Sequence, residues 1–230
     1  MYRSLDSNKI IRTAEKQLES ISKTFPDAGL RIISTEVVKT AIESKSIVKW
    51  TSRSIIPIRV GMILLILIFM ASTSWLGIKV HFQFDYQNLS EFTQFLEATI
   101  NILVLCGAGF YFLVTLDTRL KRRKVQSALS QLRSLAHVID MHQLRKDPEL
   151  LSNEETARPY LTSNTELLLY FDYCCDMLAI IGKIAALYVQ HLNDSVILAS
   201  VNDIESLTSD LSMKIWQKIN MIHTRTGGRN

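Results

Sequence analysis

The pattern of apolar and polar residues changes character twice along the chain. Residues 60–78 (VGMILLILIFMASTSWLGI) and 98–116 (ATINILVLCGAGFYFLVTL) each run 19 residues without a charge. At ~1.5 Å per residue, either run as a helix nearly matches a hydrocarbon core of ~30 Å. Residues 55–58 extend the first run. Pro57 is tolerated at a helix start, Arg59 can reach head groups along its alkyl stem, and Trp75 suits the opposite interface. Two buried helices of a soluble core are the alternative, but such cores seldom hold uninterrupted runs of this length.

Outside these runs the spacing is that of amphipathic helices. Ile10, Ile11, Ala14, Leu18, Ile21 and Phe25 recur at three and four within residues 7–25, with Lys9, Arg12 and Lys16 on the other face. A second helix starts near Pro26 and Asp27 and uses Ile33, Val37, Val38, Ala41 and Ile42. These stripes predict packing on the C-terminal helices or another subunit, with a helix lying in the membrane interface as the alternative. After the second run, Val125, Leu129, Leu132, Leu135, Ala136 and Ile139 keep helical spacing without Gly or Pro, so residues 119–144 continue that helix. Residues 146–163, with Pro148 and Pro159, read as a long connection. Two long helices over about 164–192 and 194–223, with a turn at Asn193 and Ser195 near the second start, form an antiparallel hairpin.

The expected class is all-α: a two-span helical membrane protein with a cytoplasmic helical domain. Its parts are cytoplasmic amphipathic helices over 1–54, a first span over 55–78, a short periplasmic loop over 79–96, a second span over 97–117 and the helical domain over 118–230. Lys and Arg fix the orientation. Residues 1–59 carry 11, residues 79–97 carry only Lys79, and residues 117–230 carry 14. Arg119, Lys121, Arg122, Arg123 and Lys124 lie directly after the second run, so both termini face the cytoplasm of an inner membrane.

Composition agrees, with 47% hydrophobic residues and a mean hydropathy of +0.13, more apolar than a soluble domain this charged. A net charge of +4 does not announce nucleic acid. The polar start excludes a cleaved signal peptide in front of the first run. Cys106, Cys174 and Cys175, without CxxC spacing, suggest neither a disulfide framework nor a zinc site.

Candidate chemistry is sparse. His137, Asp140 and His142 are the densest set of ligand types, but His142 lies about 140° round the helix from His137, so hydrogen bonding across the bundle is the expectation for them. Asp172, Asp176, Lys183, Asp203 and Glu205 are polar positions on apolar helices. They either line an inner surface with His137 and Asp140 or form solvated faces and interhelical pairs. Cys174 and Cys175 point ~100° apart and predict packing. No catalytic, cofactor-binding or metal residue is assigned, no cofactor is expected, and the chain is not expected to be an enzyme. In the second run, Gly107 and Gly109 with Asn101 favour close helix contact within or between subunits. Two spans enclose no aqueous path, so conduction requires a homo-oligomer, with Asn101, Thr99, Ser72 or Ser74 facing the pore.

The stretches HVIDMHQLRKDPEL (137–150), LLYFDYCCDML (168–178), GKIAALYVQ (182–190) and NDIESLTSDLSMKIWQKI (202–219) resemble the two-span membrane effectors of bacterial retron anti-phage defence systems. The likeness covers the C-terminal half and the two-span layout. It implies a three-part system of a reverse transcriptase, its non-coding RNA with the attached DNA (msDNA) and this protein, whose further partner, from its apolar runs, is the lipid bilayer. The RNA–DNA hybrid holds the effector inactive, and infection releases it to impair the inner membrane, an abortive infection by a toxin-like protein. It supplies no site residue. A two-span defence effector gated by a cyclic nucleotide, which requires a basic pocket, and a non-toxic membrane scaffold are the alternatives.

Overall fold

Several helix ends have a local cause. The computed structural model describes residues 4–26, 29–52, 60, 61, 64, 66–69, 71, 75, 89–144, 163–190, 192 and 194–227. Helix α1 (Ser7–Thr24) begins where the Asp6 carboxylate accepts from Asn8 N at 2.9 Å. It closes with Phe25 N donating to Ile21 O at 2.7 Å, just before Pro26. Helix α2 spans Gly29–Thr51; Asp27, in the start expected from sequence, lies outside the described residues. Helix α3 spans Leu89–Leu144. Helix α4 (Asn164–Val189) starts at Ser163, whose Oγ accepts from Thr165 N at 3.2 Å, and ends three residues before the expected Leu192. Helix α5 (Ser195–Gly227) outruns the expected end at His223. Among the described residues all regular structure is helical.

The chain divides into two compact units, residues 1–52 with 122–230, and residues 53–121. In the first unit the cross-helix contacts fix directions. Lys124 meets Trp50 and His142 meets Gly29, so α2 and α3 are antiparallel. Arg122 meets Asp194 and Arg133 meets Asp203, so α3 and α5 are parallel. The Cys175 thiol reaches Ser212 O, and a Cβ at Gly182 would meet Thr208, so α4 and α5 are antiparallel. The Gln17 amide donates to Tyr173 O while Ile10 and Ile180 line one cavity, so α1 and α4 are antiparallel. The result is an up-down-up-down-up bundle, and the hairpin expected of the last two helices is part of it.

Helix α4 is its centre, packing on α1, α2 and α5. It buries most of its circumference, at residues including Tyr170, Phe171, Cys174, Met177, Leu178, Ile181 and Ile184, and leaves one stripe exposed at Asp172, Asp176, Ala179 and Lys183. The α1 stripe is buried at Ile10, Ala14, Ile21 and Phe25, with Ile11 and Leu18 half-buried. Gln17 joins it, its amide satisfied by Tyr173 O at 2.9 Å. In α2, Ile33, Val37 and Ala41 are buried, Val38 is half-buried and Ile42 is exposed. In α3 every expected stripe residue is buried except the half-buried Leu135. The α1 and α2 stripes therefore face the C-terminal helices of this same chain.

In the second unit, Ile102, Leu103, Val104 and Leu105 are consecutive and exposed, from 45% at Ile102 to 75% at Leu105, and Phe110, Tyr111 and Phe112 are exposed as well. Among the described residues no helix is long and apolar enough to cross a membrane. Much of the 60–78 run, including Ser72 and Ser74, lies outside the described residues, as do the 79–88 loop and the 145–162 connection. The 98–116 run is helical throughout, with the side chains of residues 98, 99, 113 and 114 outside what is described.

Candidate functional site

The polar residues singled out in the sequence do not converge. His137 is exposed on α3, which corrects the expectation that it bonds across the bundle: its neighbours Ala136 and Ile139 take the inward positions. Asp140, half-buried, accepts from its own helix, from Gln143 Nε2 at 2.8 Å. His142 turns to α2, where a Cβ added to Gly29 would lie 2.7 Å from its Cε1. Among the described residues, no three His, Cys, Asp or Glu side chains group closely enough to hold a metal ion.

Asp172, Asp176, Lys183, Asp203 and Glu205 are all exposed. Of the two expectations for them, exposure supports solvated faces and interhelical pairs over an inner surface, because charged side chains yield the interior to apolar ones. Asp203 forms an interhelical pair with Arg133 at 3.2 Å. Asp172 and Asp176 share a face of α4. Partial burial pushes the Asp176 carboxyl above its usual range, Asp172 adds to the shift, and Lys183 opposes it. Burial, followed by these two carboxylates, pushes the Cys175 thiol up to about 11. Cys174 is buried outright, so neither thiol is a ready nucleophile.

A different polar contact organises one end of the bundle. Asp194 is buried, its side chain 3% exposed, and Arg122 Nε and Nη2 both reach its Oδ2 at 2.7 Å. Its Oδ1 accepts from Val196 N at 2.9 Å and Ile197 N at 3.2 Å, capping α5. Asp194 therefore caps α5, whose first residue is Ser195, as the sequence places it near that start. Burial works against the charged carboxylate, but Arg122 and the two backbone donors outweigh it and hold the group below the usual range. In the sequence Arg122 is one cation in a run of similar ones, and nothing there marks it as α5's partner.

Two further features lie toward this end. A cavity of about 550 Å³ opens between the start of α1 and the last turns of α4, lined by Asp6, Lys9, Ile10, Thr13, Ile180 and Lys183, with Ser4, Leu5 and Gln190 at its edge. It combines two cations, the Asp6 carboxylate, hydroxyls and an apolar wall, a lining of small net positive charge suited to a small polar ligand with an apolar part. Lys9 and Lys183 are 174 positions apart in the chain, so only the antiparallel pairing of α1 and α4 reveals it. The second feature is Lys124 Nζ, 4.6 Å from the Trp50 ring centroid, which ties the end of α2 to α3 by a cation–π contact.

No family model matches the chain, no curated protein is similar to it, and no solved structure resembles it.

Proposed function

We propose that this chain is an integral inner-membrane protein spanning the bilayer at residues 60–78 and 98–116, with both termini cytoplasmic, and that it is the membrane effector of a retron anti-phage system. One observation carries the membrane part: the exposure of Ile102, Leu103, Val104 and Leu105 in succession. At ~100° per residue they point to every side of the helix, so the apolar surface closes around it. Soluble proteins avoid a contiguous surface of this kind, whereas acyl chains solvate it. The excess of Lys and Arg flanking both runs sets the orientation. Adding Cβ atoms at Gly107 and Gly109 would meet nothing within 4 Å, which leaves that stretch open to a second copy of the chain.

The effector part rests on the resemblance of residues 137–150, 168–178, 182–190 and 202–219, which fall mainly in the end of α3, in α4 and in α5. In this reading a reverse transcriptase and its RNA–DNA hybrid restrain the cytoplasmic bundle, and infection lifts the restraint. The bilayer then becomes leaky and the cell dies before phage matures. No enzymatic step is invoked.

The test is membrane potential and dye entry in infected cells carrying the full system. Depolarisation is expected with the intact chain and not with a chain lacking residues 53–121. If that shortened chain kills while the membrane stays polarised, the reading is wrong. A reporter placed within residues 83–90 is expected outside, and reporters after Lys124 and at the C-terminus inside.

The cavity beside Lys9 and Lys183 favours a second reading, a two-span effector gated by a cyclic nucleotide. A thermal shift of the detergent-solubilised chain with cyclic dinucleotides, lost in Lys9→Gln/Lys183→Gln, would establish it. No shift would dismiss it.

A further inference from the structure

Both points where the chain leaves the bundle for the apolar runs lie at the same end. Residue 52 follows α2, residue 122 enters the bundle portion of α3, and the Lys124–Trp50 contact brings the two strands of chain together. Asp194 and Asp6 are the acids placed at this end, but the two segments that leave it carry charge of one sign. Residues 44–84 and 118–139 contain no Asp or Glu. Arg122 is engaged with Asp194, but Lys49, Arg123 and Lys124 are exposed, and Trp50 is half-buried. An indole held against the Lys124 ammonium, with Lys49 and Arg123 next to the two in sequence and an apolar run within about ten residues on either side, has the composition that settles at the head-group level of a bilayer.

We propose that this end of the bundle is a docking site for anionic phospholipid: Lys49, Arg123 and Lys124 engage the head-group phosphates, with Trp50 at the same depth. The proposal rests on the membrane reading above and adds the lipid class and the residues that select it. Head groups are favoured over a protein partner because the cations flank the apolar runs in sequence, where anionic lipid is the nearest source of negative charge. Each cation near such a surface raises its occupancy roughly fivefold, and salt screens the effect.

The test uses the full chain with Trp75→Phe and Trp216→Phe, leaving Trp50 as the one fluorophore of its kind. It is placed in nanodiscs of phosphatidylcholine mixed with phosphatidylglycerol, with bromine on the acyl chains of one lipid or the other. Stronger Trp50 quenching by brominated phosphatidylglycerol at equal mole fraction is the expected result. The preference is expected to fall several-fold in Lys49→Gln/Arg123→Gln/Lys124→Gln, and to persist in the charge-conserving Lys49→Arg/Arg123→Lys/Lys124→Arg. Equal quenching by both lipids overturns the proposal while leaving the membrane reading intact. A preference that survives the Gln substitutions overturns it too, since the selectivity then lies elsewhere. Failure of the chain to enter nanodiscs at all overturns the membrane reading and this proposal with it.

Discussion

Asp194 serves different partners with its two oxygens, so substitutions there separate an ion pair from a helix cap. Asp194→Asn keeps a capping acceptor and loses the charge, at about 1–2 kcal/mol. Asp194→Ala loses both the cap and the partner of Arg122, whose side chain is 40% exposed and can turn to water, at about 2–3 kcal/mol. Thermal melts of the detergent-solubilised chain followed by circular dichroism measure both. Because the folded carboxyl is held below its usual range, its contribution is complete above the unfolded value of ~3.9 and is lost as pH falls through the folded value. Asp194→Asn is therefore expected to remove part of the acid sensitivity between those limits. Asp176 has the opposite sign. Its carboxyl is raised by burial and by Asp172, so the charged form weakens the fold at neutral pH, and Asp176→Asn is expected to raise Tm by about 1–2 °C. His137 is exposed, so His137→Ala is expected to change stability by no more than about 0.5 kcal/mol.

Helical spacing reads the buried stripes of α1 and α3 well, because one face of each meets the core while the other meets water. It fails at Gln17, whose burial depends on a carbonyl 156 residues away, and at Ile42, which spacing assigns to the stripe and the bundle leaves exposed. Pairing order is invisible to spacing: Gly29 against His142 and Gly182 against Thr208 are meetings of helices distant in sequence. Spacing likewise leaves open whether Asp172, Asp176, Lys183, Asp203 and Glu205 face inward or outward; they are exposed because apolar residues of α4 and α5 take the inward positions. These close approaches are testable. Gly29→Ala places a methyl into the His142 ring and is expected to cost about 1–3 kcal/mol, much of it recovered in Gly29→Ala/His142→Ala. Gly182→Leu is expected to force α4 and α5 apart at a similar cost.

At the scale of the molecule, the bundle is assembled from both sides of the apolar segment. A fragment starting at Arg119 lacks α1 and α2, exposes the faces of α4 they cover, and is expected to aggregate. Residues 1–52 joined to 122–230 by a short Gly/Ser linker are expected to fold as a soluble helical protein, since Trp50 and Lys124 already hold the cut ends close. Sedimentation and circular dichroism of the two proteins distinguish these outcomes. The same interleaving has a consequence during synthesis. The stripes of α1 and α2 are complete on the order of 100 residues before α4 begins. At about 5–20 residues per second that is a delay of roughly ten seconds, in which Ile10, Ile21 and Val37 wait for the α4 surface that covers them in the completed chain. A nascent chain stalled before residue 164 is therefore expected to be cleaved by added protease within α1 and α2, where the completed chain resists.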